Sequence, residues 1–239
     1  MKRLRILICF LFILLVTGCT DFFMICSLNP FYLDKNITLV PEIEGRWSAL
    51  PLRHPTKTGD IDKNVWNRTD TTSVWKIVRR IARETLKNKF GKDSVVFRPM
   101  DFYHVTQIGI SGADTTKYSF KMVLFRVHNV LFADFMPLDN SGMENSRLAS
   151  ENYFRIHTLA RLVIRNNHPE LSWLGAEYMK EMIENKRVRV SYRWVTDAKR
   201  LLLTGSSEQL TGMIDRCADQ PRFIDWDMQP AKLRLNRIN

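Results

Sequence analysis

Tyr118-Ser119-Phe120-Lys121-Met122-Val123-Leu124-Phe125-Arg126-Val127-His128-Asn129-Val130-Leu131-Phe132-Ala133-Asp134-Phe135-Met136 is the stretch whose reading decides the fold. Residues 118–127 and 130–136 are rich in β-branched and aromatic side chains, which suit a pleated surface. His128-Asn129 between them reads as a tight two-residue turn, because Asn tolerates positive φ. The stretch is therefore a β-hairpin, and the sequence on either side continues in the same style. Upstream, Ser94 to Arg98 and Tyr103 to Ile110 carry strand signals, and Ser111-Gly112-Ala113-Asp114 reads as a second hairpin turn. Downstream, a polar loop over 137–150 leads to a strand from Phe154 to Ile164. Asn166-Asn167-His168-Pro169 turns the chain into a short extended piece, Glu170 to Leu174.

Helical signals punctuate the strands. Gly175 to Glu184 presents Tyr178, Met179, Met182 and Ile183 on one face, the spacing of an amphipathic helix. Extended segments follow at Val188 to Val195 and Arg200 to Thr204. Ser206 with Gln209 three residues on forms a capping box that opens a last helix, with Leu210, Met213, Ile214 and Cys217 as its apolar stripe. The tail from Asp219 reads as irregular. Earlier in the chain, 51–72 reads as a polar, turn-rich loop. Val74, Ile77, Val78, Ile81, Ala82 and Leu86 then recur at helical spacing, with Lys76, Arg80, Arg83 and Lys87 opposite. That predicts a basic amphipathic helix over about 73–90. Its basic face is a candidate membrane contact, since each such charge near an anionic surface is worth about 1 kcal/mol. The competing reading buries the Ile/Val face on the sheet and leaves the charges in water. Strands in series with a few helices favour an antiparallel sheet or barrel, with an open α+β sheet as the rival.

The N-terminus gives an address. Lys2, Arg3 and Arg5 precede an apolar run, Ile6 to Val16, which is shorter than the roughly 20 residues a spanning helix needs. Val16-Thr17-Gly18-Cys19 then has the form of a bacterial lipobox: a secretory signal over 1–18, cleavage between Gly18 and Cys19, and acylation of the Cys19 thiol. Palmitate and diacylglycerol chains on one cysteine supply the two or more chains that stable anchoring takes, at about 0.8 kcal/mol per methylene. Thr20 follows the cysteine and Asp21 comes one place later. That favours an outer membrane, with the body facing the periplasm, if the source has two membranes.

Loss of residues 1–18 removes three of the 36 basic residues and none of the 25 acidic ones, lowering the formal charge from +11 to +8. Such a balance suits anionic headgroups, and an exported, lipidated chain has little call for nucleic acid. Cys26 and Cys217 remain, in a compartment that permits disulfides; they are the candidate bridge, against two separate buried thiols. The domain reading is a lipidated tether and lead-in over 19–44, then one mainly β domain over 45–239.

Four segments taken together resemble a group of bacterial lipoproteins with a lipocalin-like body. They are Leu28-Asn29-Pro30-Phe31-Tyr32 with Asp34-Lys35, Pro41 with Gly45-Arg46-Trp47, Val130-Leu131-Phe132-Ala133-Asp134, and Leu201-Leu202-Leu203-Thr204-Gly205-Ser206-Ser207-Glu208-Gln209-Leu210. The resemblance implies a mainly β fold with added helices: an antiparallel lipocalin-like barrel or strongly curved sheet, plus the basic helix and a C-terminal helix. It implies an extracytoplasmic body without an established catalytic site, in which the Gly-x-Trp tryptophan closes one barrel end. Between about Leu50 and Lys92 the chain departs from that pattern, carrying a loop and a basic helix in place of a simple hairpin.

Nucleophile elbows, His-Glu-x-x-His and phosphate-cradling glycine loops are absent from the sequence. The five histidines, His54, His104, His128, His157 and His168, show no metal-ligand spacing. No cofactor is expected, and no catalytic residue. Phe154, Trp173, Tyr192 and Trp194 are candidates to line an apolar cavity or to fill a core. The expected function is a lipid-anchored, non-enzymatic envelope protein. It either holds an apolar small molecule or acts as an adaptor for another envelope protein with a filled core.

Overall fold

The computed structural model describes residues 24–51, 72–87, 93–111, 114–138, 156–195, 200–218 and 232–238. The signal segment, Gly18, Cys19 and Phe154 lie outside the described residues. The strands are β1 (Cys26–Ser27), β2 (Gly45–Pro51), β3 (Thr72–Lys87), β4 (Asp93–Ser111), β5 (Asp114–Val127), β6 (Val130–Pro137), β7 (His157–Arg165), β8 (His168–Trp173), β9 (Tyr192–Val195), β10 (Arg200–Leu203) and β11 (Lys232–Arg237). Two α-helices stand among the described residues, α1 (Ala176–Glu184) and α2 (Ser207–Cys217).

Strands β2 to β8 pair antiparallel in chain order, and β11 pairs with both β8 and β2. The result is a closed eight-stranded antiparallel barrel with no free edge around the ring. The hairpin that decided the reading is there: β5 and β6 pair from Phe120↔Pro137 to Val127↔Val130, and His128 turns with φ +51°. Asn166 and Asn167, both at positive φ, turn β7 into β8. The capping box also forms. Ser206 Oγ accepts from the Gln209 amide at 3.4 Å, and Gln209 Oε1 accepts from the Ser206 amide at 3.1 Å.

Two hydrophobic cores share one wall. Alternation sends Met122 and Leu124 of β5, Leu131, Ala133 and Phe135 of β6, and Ala160 and Leu162 of β7 into the barrel, among Trp47, Trp75, Tyr103 and Trp173. The intervening Phe125, Val127, Phe132 and Leu159 face outward under α1, α2 and β10, among Ile25, Phe31, Met179, Leu203 and Ile214. Residues Leu131 to Phe135 are buried on both faces, which is why this stretch reads as an almost unbroken apolar run.

Three expectations are corrected. The basic helix over 73–90 is a strand in its described part: residues 72–87 form β3 and pair with β4 from Thr72 to Lys87, with one break at Arg80. The segment is rich in β-branched residues, and its true period is two, with Trp75 and Ile77 pointing into the barrel. The apparent departure over 50–92 is thus a barrel hairpin in its described part. The tail is not irregular throughout, because Lys232–Arg237 is the strand that closes the ring. Finally, from Met24 onward the lead-in belongs to the body and not to a tether. Ile25, Phe31 and Ile43 are fully buried, and β1 lies between β7 and β10.

Candidate functional site

The barrel interior is the first place a lipid-carrying site would lie, and large side chains occupy it. Trp75 meets Phe135 edge-on at 6.1 Å between ring centroids and Trp173 at 6.4 Å, while Phe135 lies 5.7 Å from Trp173. Tyr103 is buried beside them and accepts the Val40 amide on its hydroxyl at 2.8 Å. Burial raises the pKa of this phenol. Trp47 of β2 is buried in the same core. Its indole N–H donates to the Ile43 carbonyl at 2.9 Å, and the Arg237 guanidinium lies over its ring at 5.2 Å. Of the aromatics proposed for a cavity, Trp173 is therefore barrel core. Tyr192 and Trp194 sit half-exposed on β9, at the margin of the small β9–β10–β1 annex, and do not join it.

A buried polar cluster lies in the outer core. Asp134 of β6 is fully buried; its Oδ2 accepts the Phe31 amide at 2.8 Å, and its Oδ1 accepts from His157 Nδ1 at 2.7 Å. Thr211 of α2 donates to the Phe31 carbonyl at 3.2 Å. Ser27 and Asn29 bond to the Leu203 and Gly205 carbonyls. Two of the segments quoted from the sequence, 28–32 and 130–134, thus meet at this carboxylate. The Tyr32 phenol nearby is pushed up to about 12, by burial first and then by the charges of Asp134 and Asp34. An aspartate–histidine pair can orient acid–base chemistry, but His157 Nε2 meets no serine, threonine or cysteine hydroxyl or thiol among the described residues. The arrangement fastens the lead-in to the barrel. Sequence spacing could not show it, since His157 and Asp134 come from different strands.

Cys26 and Cys217, the cysteines among the described residues, are not bonded to each other. Along β1, Ile25 and Ser27 face the outer core and Cys26 alternates away from it, whereas Cys217 is buried within that core on α2. The strand pleat therefore separates the proposed disulfide partners. Burial pushes the Cys217 thiol up to about 11. No group of His, Cys, Asp or Glu that could hold a metal occurs among the described residues.

The remaining candidate is the outer wall at β3 and β4. Lys76, Val78 and Arg80 are exposed there; Lys76 stands opposite Thr106 and Val78 opposite His104. With Ile81 they border a shallow open groove of about 450 Å³. The side chains of Arg83 and Lys87, the other two residues of the proposed basic face, lie outside the description. Strand neighbours end at this level. β2 pairs with β3 only as far as Gly45↔Ile77, and β5 pairs with β4 only from Tyr103↔Met122. Beyond a register shift between Arg79 and Ile81, the two strands continue as a two-stranded arm from Ile81↔Pro99 to Lys87↔Asp93. The β3 edge at the root of the arm is met by Glu44, whose Oε2 accepts the Arg79 amide at 3.0 Å, and the neighbouring β5 edge by Thr38, whose amide donates to the Leu124 carbonyl at 2.9 Å.

The inner face of this wall is apolar, and its outer face mixes Lys76 and Arg80 with the exposed Val78, Ile81 and Met100. No helix among the described residues is long and apolar enough to cross a membrane. Comparison of the chain with protein-family models, with curated proteins and with solved structures gave no match.

Proposed function

We propose that this chain is a lipid-anchored, non-enzymatic protein of the cell envelope that works as an adaptor through the outside of a lipocalin-like body. The observation that supports this reading is the filled interior. Trp47, Trp75, Tyr103, Phe135 and Trp173 occupy the volume in which a lipocalin-like carrier would hold its ligand. The lipocalin-like description rests on the up-and-down order of seven consecutive barrel strands and on the Gly45-Arg46-Trp47 element. Between the seventh and eighth barrel strands, however, the chain inserts α1, the β9–β10 hairpin and α2. The anchor rests on the lipobox, Cys19, and on the short segment that joins it to Met24, where the body begins.

The test has two arms. Cys19→Ala in the exporting host abolishes palmitate labelling and releases or mislocalises the protein; unchanged labelling and partition would sink the anchor. The same variant, purified, has a native mass equal to its denatured mass and yields no stoichiometric apolar molecule to organic solvent. One lipid per chain would replace the adaptor reading by a carrier reading.

A further inference from the structure

We propose that the β3–β4 arm and the groove at its root rest on an anionic lipid surface. The inference deepens the adaptor reading by naming a partner, and it rests on that reading only for placing a membrane within reach. Three observations carry it. A two-stranded ribbon is marginally stable in water and needs a surface to pack on, yet the arm has no further strand neighbour among the described residues. Its root exposes apolar side chains where a strand leaving a barrel would ordinarily turn polar: Ile81 is 61% exposed, Val78 41% and Met100 38%. Lys76 and Arg80 flank them, exposed and without an ion pair among the described residues.

Charge makes the choice of partner. The 23 residues from Lys76 to Arg98 hold eight Lys or Arg against two Asp or Glu. This excess of six is more than half the +11 of the whole chain, in a tenth of its length. Apolar residues interleaved with an excess of basic ones suit the headgroup boundary, where alkyl groups enter the acyl region while ammonium and guanidinium groups meet phosphates. A flat protein surface would leave those charges to be desolvated one by one.

The experiment uses the full chain carrying Cys19→Ala, so that no acyl chain contributes. Binding is measured by flotation with vesicles of phosphatidylcholine alone and with vesicles containing 30% phosphatidylglycerol. Neutral vesicles report whatever residues 1–18 contribute. We expect strong preference for the anionic vesicles, falling with added salt. Arg80→Gln, Arg83→Gln and Lys87→Gln together should lower the anionic affinity by on the order of 100-fold, at roughly fivefold per charge removed. The same neutralisation at exposed Arg187, Arg189 and Arg193 should leave most of it. Ile81→Asp, which spares every basic residue, should also weaken binding, with near-UV circular dichroism confirming the fold of each variant. Equal binding to both vesicle types, or equal loss in the two triple variants, would overturn the proposal. Palmitate labelling of the unmutated chain is scored separately, so failure of the anchor and failure of the arm give different results.

Discussion

Replacing Asp134 by Ala should cost about 4 kcal/mol. The carboxylate holds two buried groups, the Phe31 amide at 2.8 Å and His157 Nδ1 at 2.7 Å. Neither has another partner among the described residues, and each buried group left unsatisfied costs about 1–3 kcal/mol. At an m-value of about 2 kcal/mol/M, the urea midpoint followed by tryptophan fluorescence should fall by about 2 M. Asp134→Asn is the informative control. Its carbonyl still accepts from Phe31, and its amide can face a His157 whose proton has moved to Nε2. Only charge assistance is lost, about 1 kcal/mol. The Ala variant should also expose the lead-in, so limited proteolysis should cut near residues 28–33 before the barrel. There is a serious rival expectation: burying a carboxylate is expensive, and an apolar replacement is often neutral. A midpoint shift below about 0.5 M in the Ala variant, or equal losses for Asn and Ala, would refute the claim that these hydrogen bonds fasten the lead-in.

Gly45 has φ +143°, and a Cβ there would stand 3.1 Å from Arg237 Nη2, the group that donates to the Glu44 carbonyl. Gly45→Ala should therefore cost about 1–3 kcal/mol and loosen the packing around Trp47, read as a lower melting temperature and a red-shifted emission. Without reductant, unfolded protein should take up two alkyl groups at Cys26 and Cys217, and folded protein should react at Cys26 first; a bridged species would contradict the pleat argument. Stability should be fully present below pH 9 and fall as pH rises from 9 to about 11, because the unfolded Cys217 thiol releases a proton that the folded one keeps. Tyr32 extends the loss from pH 10 to about 12. Urea midpoints at pH 8 and 10.5 should converge in Cys217→Ala if the thiol is responsible.

The strand series was legible because turn chemistry and β-branched content agree along 118–136 and 157–174. The capping box was legible because Ser206 and Gln209 are three residues apart and satisfy each other. The β3 strand was misread because Val74, Ile77, Val78 and Ile81 fit a 3.6-residue period almost as well as a two-residue one. Trp75 does not separate the two periods either: it lies beside Ala82 and Leu86 on the helical wheel and on the inner face of the strand, packed against Phe135 and Trp173. The closing strand β11 was missed because Lys-Leu-Arg-Leu-Asn-Arg alternates with only two apolar residues, of which Leu235 is fully buried. The Asp134 cluster joins segments more than 100 residues apart, and no local spacing encodes it.

The two cores also decide which parts of the surface remain for a partner. A barrel wall covered by α1, α2 and the annex cannot open there without exposing Phe125, Phe132 and Leu159 to water. Full burial of each such side chain is worth about 1.5–3 kcal/mol. The interior cannot open without parting the Trp75, Phe135 and Trp173 contacts. The β3–β4 wall carries neither penalty. Its outer face has no second layer among the described residues, its β3 edge is already met by Glu44 at the Arg79 amide, and Lys76 and Arg80 are already exposed. Binding on that side asks nothing of the fold. The strapped body and the uncovered basic wall therefore fit the proposed lipid contact, with the barrel as the scaffold that carries the arm.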